Sequence, residues 1–259
     1  MSFGAFVAGR IIRSGKSQPS HASEKSLTGI AVAAIALGMA VIIIAVSVVT
    51  GFQREVSAKV TGFSADITVR GFDTNNSYEE TPIETSPGMV QQFRADHRIK
   101  SVQPFATKAG IVRSKNEIQG LLLKGVDSNY NPDFFKEYLK SGRLPDLKDN
   151  SISQDALISS KTASMLRLKT GDNIVVYFIE QPPRIRKLKV CGIYETGLEE
   201  FDKLYVMCDL QLIRKLNNWN NQQSGGIEVL LHDHGQADAV ADHIYHSTGF
   251  KYNTTTIRQ

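Results

Sequence analysis

The chain has 259 residues, 41% hydrophobic and 22% charged, with 30 Lys+Arg against 26 Asp+Glu and a formal net charge of +4. Arg10, Arg13, Lys16 and Lys25 precede one long apolar run, with Glu24 opposing them; setting those five aside leaves 30 − 4 = 26 basic against 26 − 1 = 25 acidic residues. A remainder this close to neutral excludes a nucleic-acid binder, which needs a clustered basic footprint, and two cysteines do not make a disulfide framework.

Phe3, Phe6, Val7 and Ile11 recur at helical spacing beside Arg10 and Arg13. This predicts a short amphipathic helix on a membrane surface, followed by a Gly-, Pro- and Ser-containing loop over 15–23. No charge occurs between Lys25 and Arg54. As a helix, Leu27 to Thr50 rises roughly 36 Å against a hydrocarbon core of about 30 Å. Basic flanks stay in the cytoplasm, so the N-terminus is inside and the residues from about 52 onward are outside. The rival is a cleaved signal peptide, whose apolar core is about 7–15 residues long and ends in a small-residue cleavage site. The longer run here, passing directly into Gly51-Phe52-Gln53, favours a retained anchor. The expected organisation is a cytoplasmic segment over 1–25, a membrane helix over 26–52 and an outer α+β domain over 53–259. Gly29, Ala33, Ala36 and Ala40 share one face of the span, continued by Ser47, and small faces let membrane helices approach closely. The alternative is a lone anchor with an ordinary mixture of Ala and Val.

Beyond the span, helical spacing of charges over 53–60 predicts an extension into solvent. Residues 65–69 read as a strand, 73–81 as a polar loop, and 87–96 as a helix capped by Ser86. Residues 102–113 and 118–126 read as a hairpin, and 133–140 as a short helix closed by Ser141-Gly142. A strand over 156–159 and a helix over 161–168 follow. Strands over 173–180 and 185–194 flank Gln181-Pro182-Pro183, and prolines cannot donate to a ladder, so this is a hairpin with a proline tip. A strand over 204–208, a helix over 210–216, a strand over 227–231, a helix over 236–246 and a strand over 250–257 finish the chain. The fold class is α+β, with mixed short strands and helices after one N-terminal membrane helix.

Motifs for chemistry are lacking. Gly120 and Gly125 have P-loop separation, but Val126-Asp127 stands where Lys-Ser is required, and no GxSxG or HExxH occurs. His232, His234, His243 and His246 have spacings that can ligate metal, yet no acidic or cysteine partner completes a pattern. Glu195, Glu199, Glu200 and Asp202 around Gly197 read as a solvated loop. Cys191 and Cys208 sit in apolar runs and read as buried thiols, although an oxidising compartment would permit a disulfide. The chain carries no catalytic, cofactor or metal assignment.

The segments Gly51-Phe52-Gln53-Arg54-Glu55-Val56 and Gly62-Phe63-Ser64-Ala65-Asp66-Ile67-Thr68-Val69 resemble the juxtamembrane region of lipoprotein-releasing ABC permeases of the LolC/LolE type, relatives of FtsX and MacB. Ala36-Leu37-Gly38-Met39-Ala40 and Ser47 to Phe52 are similar to that family's first span. Leu168 to Asp172, Cys191 to Gly197 and Gly226 to Val229 are similar to its outer domain. The resemblance implies a MacB-like periplasmic core domain and four spans, of which this chain carries the first, as an N-terminal part. It further implies a bacterial inner-membrane location, a cytoplasmic ABC ATPase dimer, a second permease subunit (the same or related), a lipoprotein cargo and a periplasmic lipoprotein carrier. Nothing in it calls for nucleic acid. In such permeases a hairpin hooks the carrier; the candidate here is Gln181, Pro182, Pro183 and Arg184, with Glu180, Arg186 and Lys187 beside it. Rivals are a MacB- or FtsX-like permease that transmits motion for efflux or signalling, a single-pass envelope sensor or scaffold, and a tethered hydrolase.

Overall fold

The computed structural model describes residues 10, 22–72, 80–113, 118–148 and 151–257, and the chain divides into two compact units, Met1–Ser57 and Ala58–Gln259. The amphipathic segment expected over 3–11, most of the loop over 73–81 and the hairpin turn at 114–117 lie outside the described residues.

The first unit is built on helix α1 (Ala22–Ser64), whose last turns, from Ala58, belong to the second. Every residue from Gly29 to Glu55 is exposed, and the mean hydropathy of its most apolar 18-residue window is 2.9. The two hydroxyls near the end of the apolar run turn inward: Ser47 Oγ donates to Ile43 O at 2.7 Å and Thr50 Oγ1 to Val46 O at 2.8 Å. Such back-bonding satisfies polar side chains where water is absent. The helix passes the expected extension to 60 and stops at Ser64, where Ala65 adopts φ 64° and its N–H closes on Thr61 O at 2.7 Å. A left-handed residue at this position is a standard helix stop.

The second unit is organised by β3 (Ile99–Arg113), 15 residues long, against about 5–6 for an ordinary strand. Its partner β4 (Ile118–Val126) forms the expected hairpin, Phe105 opposite Val126 through Arg113 opposite Ile118. The first half of β3 pairs with β11 (Gly226–Leu231), which pairs with β1 (Ile67–Arg70), itself flanked by β12 (Asn253–Thr256). The second half pairs with β7 (Asn173–Phe178) at Ile111–Tyr177 and Val112–Val176. Because β4 pairs with β9 (Tyr205–Asp209), β9 with β6 (Asp155–Ser159), β6 with β8 (Arg184–Tyr194) and β8 with β7, these strands close a ring through β3. One long strand thus belongs both to an open sheet and to a ring.

Strand alternation then sorts the cores. Inside the ring, Ala106, Val112, Leu121, Leu123, Val176 and Phe178 pack with Leu166 of α4 (Ser160–Leu166) and Ile213 of α6 (Leu210–Asn217). On the open sheet, Val102, Ile227 and Val229 meet Phe93 of α2 (Pro87–Arg94) and Val240 and Ile244 of α7 (Ala237–Ser247). A third cluster joins Phe63 of α1 to Val126, Phe135, Tyr194 and Met207. Helix α2 starts as its sequence implies, with Ser86 Oγ accepting from Met89 N at 3.3 Å.

Two local expectations are corrected. The helix expected over 133–140 is α3 (Asp133–Glu137), and Leu139–Gly142 is instead strand β5, paired with the end of β8. Gly142 sits there at φ +79°, where a Cβ would lie 2.3 Å from Cys191 O, so pairing to β8 overrides local helical periodicity. The acidic cluster read as a solvated loop contains α5 (Glu199–Leu204). Its carboxylates lie in the first turn, where they favour a helix, and Asp202 is buried, accepting from Thr196 Oγ1 at 2.8 Å and Gly197 N at 3.1 Å. A short separate ladder pairs β2 (Ile83–Glu84) with β10 (Gln223–Ser224), segments without a strand pattern in the sequence.

Cys191 and Cys208 are buried and unpaired by disulfide. Burial, with Asp155 as a secondary cause, pushes the Cys191 thiol up to about 12, and burial raises Cys208 as well. At pH 8 about one Cys191 in ten thousand is then thiolate. Ellman's reagent should therefore find neither thiol in the folded chain and both in guanidinium. Asp96, at the turn into β3, is held down to about 2, chiefly by the Arg98 side chain, which approaches to 2.5 Å. A depressed carboxylate stabilises the fold above its unfolded pKa, and that contribution is lost as pH falls through the folded value. The melting-temperature gap between wild type and Asp96→Asn should therefore be full above about pH 4 and close on acidification towards about pH 2.

Candidate functional site

Two places in the second unit concentrate features beyond ordinary packing. The first is the β7–β8 hairpin tip. Strand pairing runs to Phe178 opposite Arg184, leaving 179–183 as the loop. The hairpin's inner face buries Ile174, Val176, Phe178 and Leu188, while Tyr177 and Ile185, paired across the strands, are exposed on the other. Ile179 is 83% exposed, and Gln181, Pro182 and Pro183 are exposed beside it. The Gln181–Pro182 peptide is cis.

The tip is anchored at its base. Glu180 accepts from Lys108 Nζ at 2.7 Å and from Arg184 Nε at 3.0 Å. The Arg184 guanidinium also donates to Leu216 O at 2.5 Å and lies 3.3 Å from both Lys215 O and Asn218 Oδ1. These acceptors form the C-terminus of α6, which a cation complements. Of the residues singled out by sequence, Gln181, Pro182 and Pro183 are thus presented to solvent and Arg184 is committed to α6. Arg186 is half-buried, donating to Ile185 O, and Lys187 is exposed. The sequence signal for Ile179 is its place as the last residue of the apolar run 174–179, directly before Glu180 and the proline tip.

The second place is the end of α1. Phe63 enters an aromatic nest, with ring centroids 4.8 Å from Phe201, 4.9 Å from Tyr205 and 5.8 Å from Phe135, all edge-on. Gly62 lies under Phe134, where a Cβ would be 2.2 Å from the ring. Lys124 Nζ, on a side chain only 4% exposed, donates to Phe63 O at 2.7 Å and pairs with Glu228 Oε1 at 2.6 Å. Its ammonium also lies 5.2 Å from the Phe63 ring centroid and 5.7 Å from that of Phe105, within cation–π range. Just beyond the helix, buried Asp66 accepts from Leu231 N at 2.8 Å and meets His234 Nδ1 at 2.5 Å. Sequence reading passed over Lys124; the available signal was one lysine inside the apolar run Leu121-Leu122-Leu123-Lys124-Gly125-Val126.

The remaining candidates are not drawn into a site. His246 packs against Phe250 at 5.0 Å and His234 holds Asp66. Among the described residues no group of three or more His, Cys, Asp or Glu is placed to hold a metal. Gly29, Ala33, Ala36 and Ala40 are exposed along α1.

The profile of the MacB-like periplasmic core domain matches residues 28–245. The chain is 24% identical over 216 residues to the lipoprotein-releasing system transmembrane protein LolC of Xylella fastidiosa, covering 80% of this chain and 49% of that protein. It is 21% identical over 224 residues to LolC of Neisseria meningitidis, covering 83% and 51%. It is 22% identical over 217 residues to LolE of Haemophilus influenzae, covering 77% and 48%. The chain thus spans about half the length of the curated relatives it matches. Among solved structures, the periplasmic region of MacB from Actinobacillus actinomycetemcomitans shares its fold, with TM-score 0.51, 14% identity and coverage of 73% of this chain and 87% of that one.

Two substitutions probe these places. Gly62→Val should cost about 1–3 kcal/mol through overpacking against Phe134, read as a lowered denaturation midpoint. Arg184→Ala removes charge-assisted bonds worth about 1.5–3 kcal/mol where buried and less at this half-exposed site, and should raise proteolytic nicking within 179–183.

Proposed function

Because this chain belongs to the MacB-like periplasmic core domain family, we propose that it is the N-terminal part of an ABC transporter permease that releases lipoproteins from the inner membrane. In this reading residues 1–25 are cytoplasmic, 26–52 cross the membrane and 53–259 form the periplasmic domain. In the same reading a partner ATPase dimer hydrolyses ATP. The small-residue face Gly29, Ala33, Ala36 and Ala40 packs against other spans, including those of a second permease subunit. The exposed tip meets a periplasmic carrier that receives the acyl chains.

The observation that carries this reading is the union of a charge-free apolar run with a MacB-like domain in one sequence, matched continuously from residue 28 to 245. The names of the LolC and LolE relatives support lipoprotein as the cargo. The energetic demand is large, because each buried CH₂ is worth about 0.8 kcal/mol. Extraction therefore needs both an energy source and an apolar acceptor, which is why an ATPase and a carrier belong to the proposal.

The full-length protein, co-purified with its ATPase and reconstituted in proteoliposomes with an acylated lipoprotein, tests it. Transfer of the lipoprotein to a soluble carrier should require both ATP and the carrier. Absence of any co-purifying ABC ATPase, or ATP hydrolysis without transfer, would overturn lipoprotein release. Replacing Ile179 and Pro183 together by Asp should weaken carrier capture roughly tenfold, the scale of one lost hot spot, while leaving ATP hydrolysis in place.

A further inference from the structure

Two lysines, Lys108 and Lys124, are buried on the β3–β4 hairpin, a costly location that neither the ring core nor the open sheet requires. They occupy adjacent rungs of the ladder: Lys124 is opposite Thr107, and Lys108 is opposite Leu123. Strand alternation sends them to opposite faces. Lys124 reaches the end of α1, binding Phe63 O and Glu228. Lys108 reaches the other hairpin, binding Glu180 at 2.7 Å, which in turn holds Arg184. Each ammonium fastens a different element to the same pair of rungs.

We propose that Lys124 and Lys108 are positioning residues that make the end of α1 and the 179–183 tip one rigid body through the β3–β4 ladder. This deepens the permease reading, on which its functional meaning rests: a tilt or rotation of the helix end would be delivered to the tip undamped. Stability alone does not account for the lysines. Well-packed apolar replacements of a buried ion pair are often neutral or stabilising. What a buried ammonium adds is direction. Its donors hold the helix-end carbonyl of Phe63 and the Glu228 carboxylate at once, which sets rotation about the helix axis in a way that apolar contact does not. The partial negative charge at a helix C-terminus favours a cation at that position. The ladder between the two anchors is continuous backbone pairing, and β3 itself pairs with β7 at Ile111 and Val112.

The test needs no transport. In the full-length protein, Ala58→Cys on α1 and Gln181→Cys at the tip place spin labels on exposed positions, while Cys191 and Cys208 stay buried and unlabelled. Pulsed electron-electron resonance should give one narrow distance distribution. Lys108→Met leaves Glu180 its Arg184 partner, and Lys124→Met with Glu228→Met replaces the buried pair by apolar side chains. Each folded variant should broaden the distribution roughly twofold; Lys108→Met should melt near the wild-type temperature, and the double variant, which leaves Phe63 O without its donor, should melt lower. A broad wild-type distribution, or folded variants with unchanged width, would overturn the proposal. Should the double variant not fold, the wild-type width and Lys108→Met decide. Narrow distances in a protein that releases no lipoprotein would sink the lipoprotein-release reading and leave the rigid body standing.

Discussion

The structure of the second unit depends on how the end of α1 is satisfied. A helix terminus leaves carbonyls without intrahelical partners, and burying them without donors is costly. Here Ala65 folds back to take Thr61 O, and the Lys124 ammonium takes Phe63 O. Glu228 neutralises that ammonium, so the charge enters the interior as a pair. Around the pair, Phe63 fills the aromatic nest and Gly62 lets Phe134 approach. Removing one partner alone would leave a buried unpaired charge, which costs far more than replacing both.

The same constraint explains the length of β3. Glu228 on β11 and Lys124 on β4 both flank β3, so the helix end rests on an unbroken patch of ladder. Beyond that patch β3 leaves β11 and takes β7, closing the ring. A strand that ended after the open sheet would leave Val112 and the β7–β8 hairpin without their shared core. The hairpin tip is therefore anchored at its base, by Lys108 to Glu180 and by Arg184 to the end of α6, and free only over its outermost residues.

Within the proposed permease these features divide the labour. The apolar run is the span, the end of α1 from Ala58 is held to the ladder of the second unit by hydrogen bonds, and the tip offers a small apolar surface led by Ile179. An energy-using partner and an apolar acceptor complete the process, for the thermodynamic reason that acyl chains resist leaving a bilayer.

Much of this was legible in sequence because it rests on local signals. The charge-free run between Lys25 and Arg54, the Ser86 cap, the β3–β4 hairpin and the proline-tipped β7–β8 hairpin each follow from periodicity, caps or turn chemistry within about 30 residues. The juxtamembrane motif pointed to the family from the chain alone. What tertiary structure decided is what depends on partners distant in sequence. Leu139–Gly142 became a strand because the end of β8 was there to pair with it. Glu199–Leu204 became a helix whose Asp202 carbonyl takes the hydroxyls of Ser159 and Thr162, 43 and 40 residues earlier. Arg184 turned from a candidate contact into an anchor because the end of α6 lies beside it. Lys124 reads in sequence as one polar residue in an apolar run, and its role exists only once Phe63, 61 residues earlier, and Glu228, 104 residues later, converge on it. Hydropathy and propensity are properties of neighbours along the chain, whereas charge pairing and helix-end satisfaction are properties of neighbours in space.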